Sequence, residues 1–387
     1  MQPDFTASLN RKGVASLKWQ RYENQDVIPM WVADMDLSAP EAAKQALHQA
    51  VDLGALGYGE VPASLDEAFL AWCQQNYAWQ PEKDWLVWLP GVVPGFNFAV
   101  QALTSPQDQL FGQTPVYPPL RLLGQVRGRK QHSLPLLPST TEPSGWSLQL
   151  ERWAEALDPA TRVLLLCNPQ NPTGRIYTAT ELEQLAQLAE EKQLLVISDE
   201  IWADLLLEPA ARHLPYAAVN EAAAQHSITL MAPSKTFNLA GLSCAVALVP
   251  NPELRQALRK AMRGLAPDMN YLGLLAAEAA WREGGAWLDA LKQHLNANLD
   301  CLEAWLQDPA YPRRQLIGYR RPQATFVAWL DVSGLGLDNP YQAFLDAGVA
   351  LSPGEAFGDD RYLRLNFGCP RAQLQEALRR MHQVVGC

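Results

Sequence analysis

The chain has 387 residues, 48% of them hydrophobic and 19% charged, with a formal net charge of -10. That composition excludes a disordered chain, and the acidic balance argues against a nucleic-acid partner held by a general basic field. The length predicts two domains, or one large domain with a smaller companion. The most basic stretch, Arg121, Arg127, Arg129 and Lys130, reads as a solvated face. Cys73, Cys167, Cys244, Cys301, Cys369 and Cys387 are scattered without a close pair, which predicts reduced thiols and neither a disulfide framework nor a metal ribbon. Met1 to Asn10 lacks a signal pattern, and no apolar run approaches membrane-spanning length. These features together predict a cytoplasmic protein, with no membrane and no nucleic acid among its partners.

Taken in chain order, Pro90 to Asn97 (PGVVPGFN) is the first segment with a chemical reading. It offers a phosphate-binding turn in which Val92 and Val93 keep their N–H groups and Pro94 suits the first turn of a helix. An ordinary Gly-Pro turn fits the segment equally well. Arg162 to Cys167 (RVLLLC) is an apolar run suited to a buried parallel strand. The turn-rich Asn168 to Gly174 (NPQNPTG) follows. Thr178 and Glu181 then have capping-box spacing, opening a helix with Leu182, Leu185, Ala186 and Ala189 on one face. Leu194 to Ser198 reads as a second strand, ending at Asp199; Ser227 to Met231 as a third, just before Ser234 and Lys235; Cys244 to Val249 as a fourth. This alternation predicts an α/β fold with a mostly parallel sheet covered by helices. The last hundred residues read differently: a helical region around Trp281 to Leu306, a strand from Thr325 to Val332, a segment from Tyr341 to Ala347, a strand from Tyr362 to Phe367, and a final helix. They predict a smaller α+β domain built with the N-terminal segment. The expected organisation is residues 1–48 packing with the small domain, 49–284 as the large domain, and 285–387 as the small C-terminal domain.

Ligands of open α/β sheets bind beyond the carboxyl ends of the strands. Asn171, Asp199 and Lys235 each follow such a strand. Singly, each has an ordinary reading, as a turn residue, a helix cap and a solvated loop lysine. Together, in this order, they fit one cofactor, pyridoxal 5'-phosphate (PLP). It requires a lysine for its Schiff base and a carboxylate partner for its pyridine nitrogen. A carboxylate there favours the protonated ring, and an amide such as Asn171 can donate to the phenolic oxygen. Other searches fail: Gly54, Gly57 and Gly59 lack dinucleotide-binding spacing, Walker A, HExxH and GxSxG motifs are absent, and the six histidines show no metal-ligand spacing.

The motifs SLKW at 16–19, IPMWVADMD at 28–36, LGY at 56–58, GVVPG at 91–95, QTPVYPP at 113–119, NPQNPTG at 168–174, SKTFNLAGL at 234–242 and LRLNFGCP at 363–370 cover nearly the whole chain. In them the sequence resembles the fold-type I PLP enzymes of the aspartate aminotransferase superfamily, and within it the MalY/PatB group of cystathionine β-lyases. The resemblance implies a large PLP-binding domain in which Lys235 carries the cofactor and acts as the base, Asp199 pairs with the pyridine nitrogen, and Asn171 donates to the phenolic oxygen. It gives Tyr117 the stacking position on the cofactor ring, and counts it with Lys235 and Asp199 as catalytic. Val92, Val93 and Ser234 then serve the phosphate, and Tyr58 reaches it from the neighbouring subunit of a homodimer. Arg364 grips the substrate α-carboxylate, a task suited to its fork, with the Ala33-Asp34 backbone close by.

Two positions depart from the pattern. Trp202 stands where the superfamily has Tyr and the β-lyase group often His; indole donates only through its ring N–H. Ser243 stands where many aminotransferases carry a phosphate-binding arginine, which argues mildly against an ordinary aminotransferase. The leading expectation is therefore β-elimination from cystathionine, cysteine or an S-substituted cysteine, giving a thiol, pyruvate and ammonia. Transamination, which shares all the core residues, is the alternative, and a fold-retaining regulatory protein is the alternative of another class. No arginine is obviously placed in the sequence for a second, distal carboxylate.

Overall fold

In a computed structural model, which describes residues 3–142, 144–209 and 211–385, the apolar runs become strands buried on both faces. Cys387, with Met1 and Gln2 of the N-terminal segment, lies outside the described residues. Thr161–Cys167, Leu195–Asp199 and Ser227–Met231 are adjacent parallel strands, with Cys167 level with Asp199 and Asp199 level with Leu230. They are the middle of a seven-stranded sheet in the order Leu86–Leu89, Ala245–Leu248, Ser227–Met231, Leu195–Asp199, Thr161–Cys167, Gln109–Thr114, Lys130–Pro135. The sheet is mixed and mostly parallel, surrounded by helices. Ala245–Leu248 runs against both of its neighbours. The sequence rhythm did not announce this reversal. Its cause is the connection from Met231, which makes only short helical turns where a parallel return needs a crossover.

Helix Ala179–Glu191 begins at the expected box: Glu181 N donates to Thr178 Oγ1 at 3.2 Å, and Thr178 N to Glu181 Oε2 at 2.9 Å. Its face of Leu182, Leu185, Ala186 and Ala189 is buried. Helix Val92–Leu103 lies on the other side, against Leu195–Asp199 and Ser227–Met231. Its Gly95 permits the close approach, since a Cβ there would lie 2.7 Å from a Leu89 methyl.

The helical region expected around Trp281 is two helices, Tyr271–Glu283 and Gly285–Leu306, which meet at Gly284. The C-terminal region holds a second, antiparallel sheet in the order Gly318–Tyr319, Val327–Asp331, Tyr362–Asn366, Ser352–Pro353. Leu295 and Leu299 of Gly285–Leu306, and Leu374 and Met381 of the final helix Arg371–Val385, share one buried core with Val327, Leu330 and Leu365. The N-terminal segment joins this part of the molecule: Ile28–Pro29 pairs in parallel with Val349–Ala350.

Segment 30–36 then runs between the two sheets, and two asparagines hold it. Asn366 Nδ2 donates to the carbonyls of Val32 at 2.6 Å and Asp34 at 2.7 Å. From the other side Asn238 Nδ2 donates to Met35 O at 3.0 Å and Leu37 O at 2.9 Å. Beneath it lies an ion pair, Lys18 Nζ to Asp36 Oδ2 at 2.8 Å, with each side chain 1% exposed. Burial alone would raise the Asp36 carboxyl; the Lys18 charge and hydrogen bonds from Lys18, Trp19 and Gln373 outweigh it and hold the group below the ordinary carboxylate range.

Candidate active site

The carboxyl ends of the three central strands deliver Asn171, Asp199 and Lys235 to one cavity of about 720 Å³ between the sheets. Asn171 and Lys235 line it, and Asp199 lies beneath, fully buried. Asp199 has two hydrogen-bond donors: the Tyr117 hydroxyl gives to Oδ2, and the Ile201 amide to Oδ1 at 3.2 Å. Burial raises its pKa to about 6, against the opposing effect of the Tyr117 bond. No ion pair to it forms among the described residues, so a cationic ligand group beside it would relieve an electrostatic cost. The protonated pyridine nitrogen of PLP is such a group.

Lys235 lies on the short helix Pro233–Thr236, and its Nζ donates to the Ala33 carbonyl at 2.6 Å. Burial, with the Arg364 charge adding to it, lowers its pKa to about 8. More of the amine is therefore neutral near pH 7 than for a solvated lysine, as a nucleophile toward an aldehyde requires. Lys235 Nζ also lies 5.6 Å from the centre of the Trp202 ring, which packs edge-on against Phe326 with centroids 4.8 Å apart. The Trp202 ring thus flanks the amine.

Arg364 projects from the middle of Tyr362–Asn366 on the opposite sheet. Nη1 donates to Asn171 Oδ1 at 3.0 Å and Nη2 to the Trp31 carbonyl at 2.9 Å, while the guanidinium carbon Cζ lies 4.6 Å from the centre of the Phe357 ring. The residue is 6% exposed, its Nε is buried without a partner, and burial lowers its pKa. No described carboxylate pairs with it. A buried guanidinium held only by neutral acceptors, with its Nε–H unpartnered, is a site for a carboxylate. Because Asn171 Oδ1 is taken by Arg364, Nδ2 is the Asn171 atom available to a ligand such as the phenolic oxygen.

Val92 and Val93 line the cavity as the first two residues of helix Val92–Leu103, where N–H groups have no partner inside the helix. Gly91 before them has φ 147° and ψ 162°, a conformation open to glycine almost alone. Ser234 and Ser243 line the same cavity, Ser243 with a left-handed φ of 52°. An anion fits at such a helix start. The donor set therefore matches PLP part by part: amine for aldehyde, buried acid for pyridine nitrogen, amide for phenolic oxygen, helix N-terminus for phosphate.

Tyr117 lines the cavity, and its hydroxyl contact with Asp199 adds to the stacking expected of its ring. Ala33 takes part through its carbonyl. Asp34 does not line the cavity: its Oδ2 accepts from Arg11 Nη2 at 2.6 Å, and its carbonyl already accepts from Lys18 and Asn366. Tyr58 is 94% exposed and lies on a separate shallow surface with Met269 and Tyr271. Sequence reasoning missed Trp31, Ser352, Phe357 and Arg21, all of which line the cavity. Trp31 lay inside the MWVADMD motif without a role; the other three carry no local signal. Arg21 is exposed where it lines the cavity.

The family model described as aminotransferase class I and II matches residues 25–381. Cystathionine beta-lyase PatB of Bacillus subtilis is 35% identical over 390 residues, covering 98% of each chain. The crystal structure of OvoB superposes with a TM-score of 0.93 at 41% identity, covering 99% of each chain. Cystalysin from Treponema denticola, solved with a pyridoxal 5'-phosphate cofactor, superposes with a TM-score of 0.93 at 28% identity, again covering 99% of each chain.

Proposed function

Since the chain belongs to the class I and II aminotransferase family, we propose that it is a PLP-dependent carbon–sulfur β-lyase. It takes a cysteine S-conjugate and water to a thiol, pyruvate and ammonium. The observation that carries the reading is the convergence of Lys235, Asp199 and Arg364 on one cavity, amine and buried acid on one sheet, guanidinium on the other. The similarity to cystathionine β-lyase PatB over the full length favours elimination over transamination.

PLP, when bound, supplies an electron sink that stabilises the negative charge left at the substrate Cα. Lys235 would hold its aldehyde, Asp199 its pyridine nitrogen, Asn171 Nδ2 its phenolic oxygen, and the Val92 and Val93 amides its phosphate. Arg364 binds the substrate α-carboxylate in a fixed plane, because Asn171 Oδ1 and the Trp31 carbonyl already set the guanidinium's orientation. That orients the Cα–H toward the Lys235 side of the cavity. Lys235 Nζ, whose pKa is lowered to about 8, takes the Cα proton in its neutral form as general base. The electron pair of the Cβ–S bond leaves with sulfur, which takes up a proton as thiol. Water then hydrolyses the remaining three-carbon fragment, and its methyl, keto and ammonium products balance the substrate and one water.

The homodimer belongs to the same reading. Tyr58 is exposed beside Leu53 and Leu56, and Leu265 is exposed as well, an apolar surface that suits a second copy whose site Tyr58 would complete. We place the enzyme in the cytoplasm, on the scattered cysteines, of which Cys73, Cys167, Cys244, Cys301 and Cys369 are free thiols. The test is incubation of pure PLP-loaded protein with cystathionine and a panel of S-substituted cysteines, with pyruvate assayed. Pyruvate from at least one conjugate is expected. Absence of pyruvate from all of them, with conversion of the bound cofactor to its amine form, means transamination instead.

A further inference from the structure

Among the described residues, three cations line the cavity, Lys235, Arg364 and Arg21, and no carboxylate does. The cofactor and the substrate α-carboxylate account for the first two. Arg21 is surplus to both. It is exposed, so it stands at the solvent end of the cavity, and it makes no ion pair among the described residues. Its guanidinium lies 4.9 Å from the centre of the Trp31 ring and 5.9 Å from that of Tyr22.

Trp31 connects the two arginines. Its backbone carbonyl accepts from Arg364 Nη2 at 2.9 Å, while its ring carries Arg21. The indole N–H donates to the Lys18 carbonyl at 3.2 Å. Arg21 caps the short helix Leu17–Gln20, and that helix is anchored through Lys18 and Trp19, both bonded to Asp36 at 2.8 Å. The backbone on which Arg21 stands is therefore fixed relative to Arg364, and only the outer side chain is free to move. Tyr22 and Trp31 belong to one apolar cluster, and Val32, Leu351 and Pro353 add to the apolar lining of the same cavity. A cation at each end and an apolar span between them fit a ligand with an anion at each end and a hydrocarbon or thioether middle.

We propose that Arg21 is the subsite for a second carboxylate, carried at the far end of the sulfur substituent. Arg21 then sets the preference, among cysteine S-conjugates, for a substituent that ends in a carboxylate, as that of cystathionine does, and this rests on the β-lyase reading above. Arginine suits a carboxylate at a partly wet site, because its planar fork pairs bidentately while its face stays stacked on an aromatic ring.

The experiment compares PLP-loaded wild type with Arg21→Gln and Arg21→Lys. Pyruvate release is measured from S-(2-carboxyethyl)-L-cysteine and from its neutral counterpart, S-(2-carbamoylethyl)-L-cysteine. Calorimetric binding is measured in parallel for L-2-aminopimelate, which has a methylene in place of sulfur and no leaving group, and for its 7-amide. Wild type is expected to prefer the carboxylate member of each pair. In Arg21→Gln the carboxylate-to-amide ratio of kcat/KM falls about fivefold or more, through KM, and the binding ratio falls with it; Arg21→Lys recovers part of both. Unchanged ratios in Arg21→Gln, or equal losses for the acid and the amide, overturn the proposal. If wild type releases pyruvate from neither conjugate, elimination itself is in question, and the two binding ratios still decide the role of Arg21.

Discussion

Lys235 Nζ donates to the carbonyl of Ala33 at 2.6 Å, across 202 positions of the chain. With the bonds of Asn238 to Met35 and Leu37, it joins the N-terminal segment to the turn that follows the third central strand. It makes the floor of the cavity depend on how segment 30–36 is held.

The amine of Lys235 has its pKa lowered to about 8, by burial first and by the Arg364 charge second. Capture of the PLP aldehyde by the apoprotein requires the neutral amine. Its rate should rise with pH through about 8 and level off above it, well short of the solvated-lysine value. Arg364→Gln should move this midpoint upward. Borohydride trapping at a series of pH values, read by mass spectrometry, checks both. Lys235→Ala should trap nothing and lose about 10²–10⁴-fold in pyruvate formation, the usual worth of a positioned base.

Asp199 is buried with its pKa raised to about 6. In the folded apoprotein it keeps a proton that the unfolded chain releases near 4. Apoprotein stability should therefore fall as pH rises from about 4 to about 6 and remain lower above that window. The gap corresponds to about 3 kcal/mol. Asp199→Asn apoprotein should be the more stable of the two at pH 7 and close to wild type at pH 4, as denaturant titrations at the two pH values would show. With PLP bound the order at pH 7 should reverse, because the carboxylate then faces a cation.

Arg364→Lys keeps the charge and loses the fork. A hydrogen bond to a charged group contributes about 1.5–3 kcal/mol, or about 10–150-fold. The α-carboxylate keeps its charge throughout the reaction, so the loss should appear mainly in KM rather than kcat. Steady-state pyruvate kinetics distinguish the two; a loss confined to kcat would show that Arg364 does not bind the carboxylate.

Lys18 and Asp36 are both 1% exposed. Asp36→Leu takes from the buried Lys18 its partner at 2.8 Å, leaves it only Asp34 Oδ1 at 3.8 Å, and should cost up to about 3–5 kcal/mol. The double variant Lys18→Met with Asp36→Leu should be more stable than either single variant. Denaturation midpoints test this. Pyruvate assays on the same proteins test whether the Ala33 carbonyl keeps its place when the anchor is gone.

Much of this molecule was legible without coordinates. The apolar runs, the Thr178–Glu181 box and the chain order of Asn171, Asp199 and Lys235 are short-range patterns. Each reflects a local constraint: a strand buried on both faces, a helix end to be satisfied, a polar residue where a strand emerges. The amino-acid sequence by itself therefore determined the fold class and which residues stand at the ends of the central strands. Tertiary structure alone decided what faces them. Arg364 meets Asn171 across 193 positions and the Trp31 carbonyl across 333. Contacts so distant in the chain leave no periodicity and no fixed spacing. The Ala33 carbonyl carries no side-chain identity at all. The reversal of Ala245–Leu248 and the placing of Arg21 at the cavity's solvent end are of the same kind, since both depend on how segments pack in space.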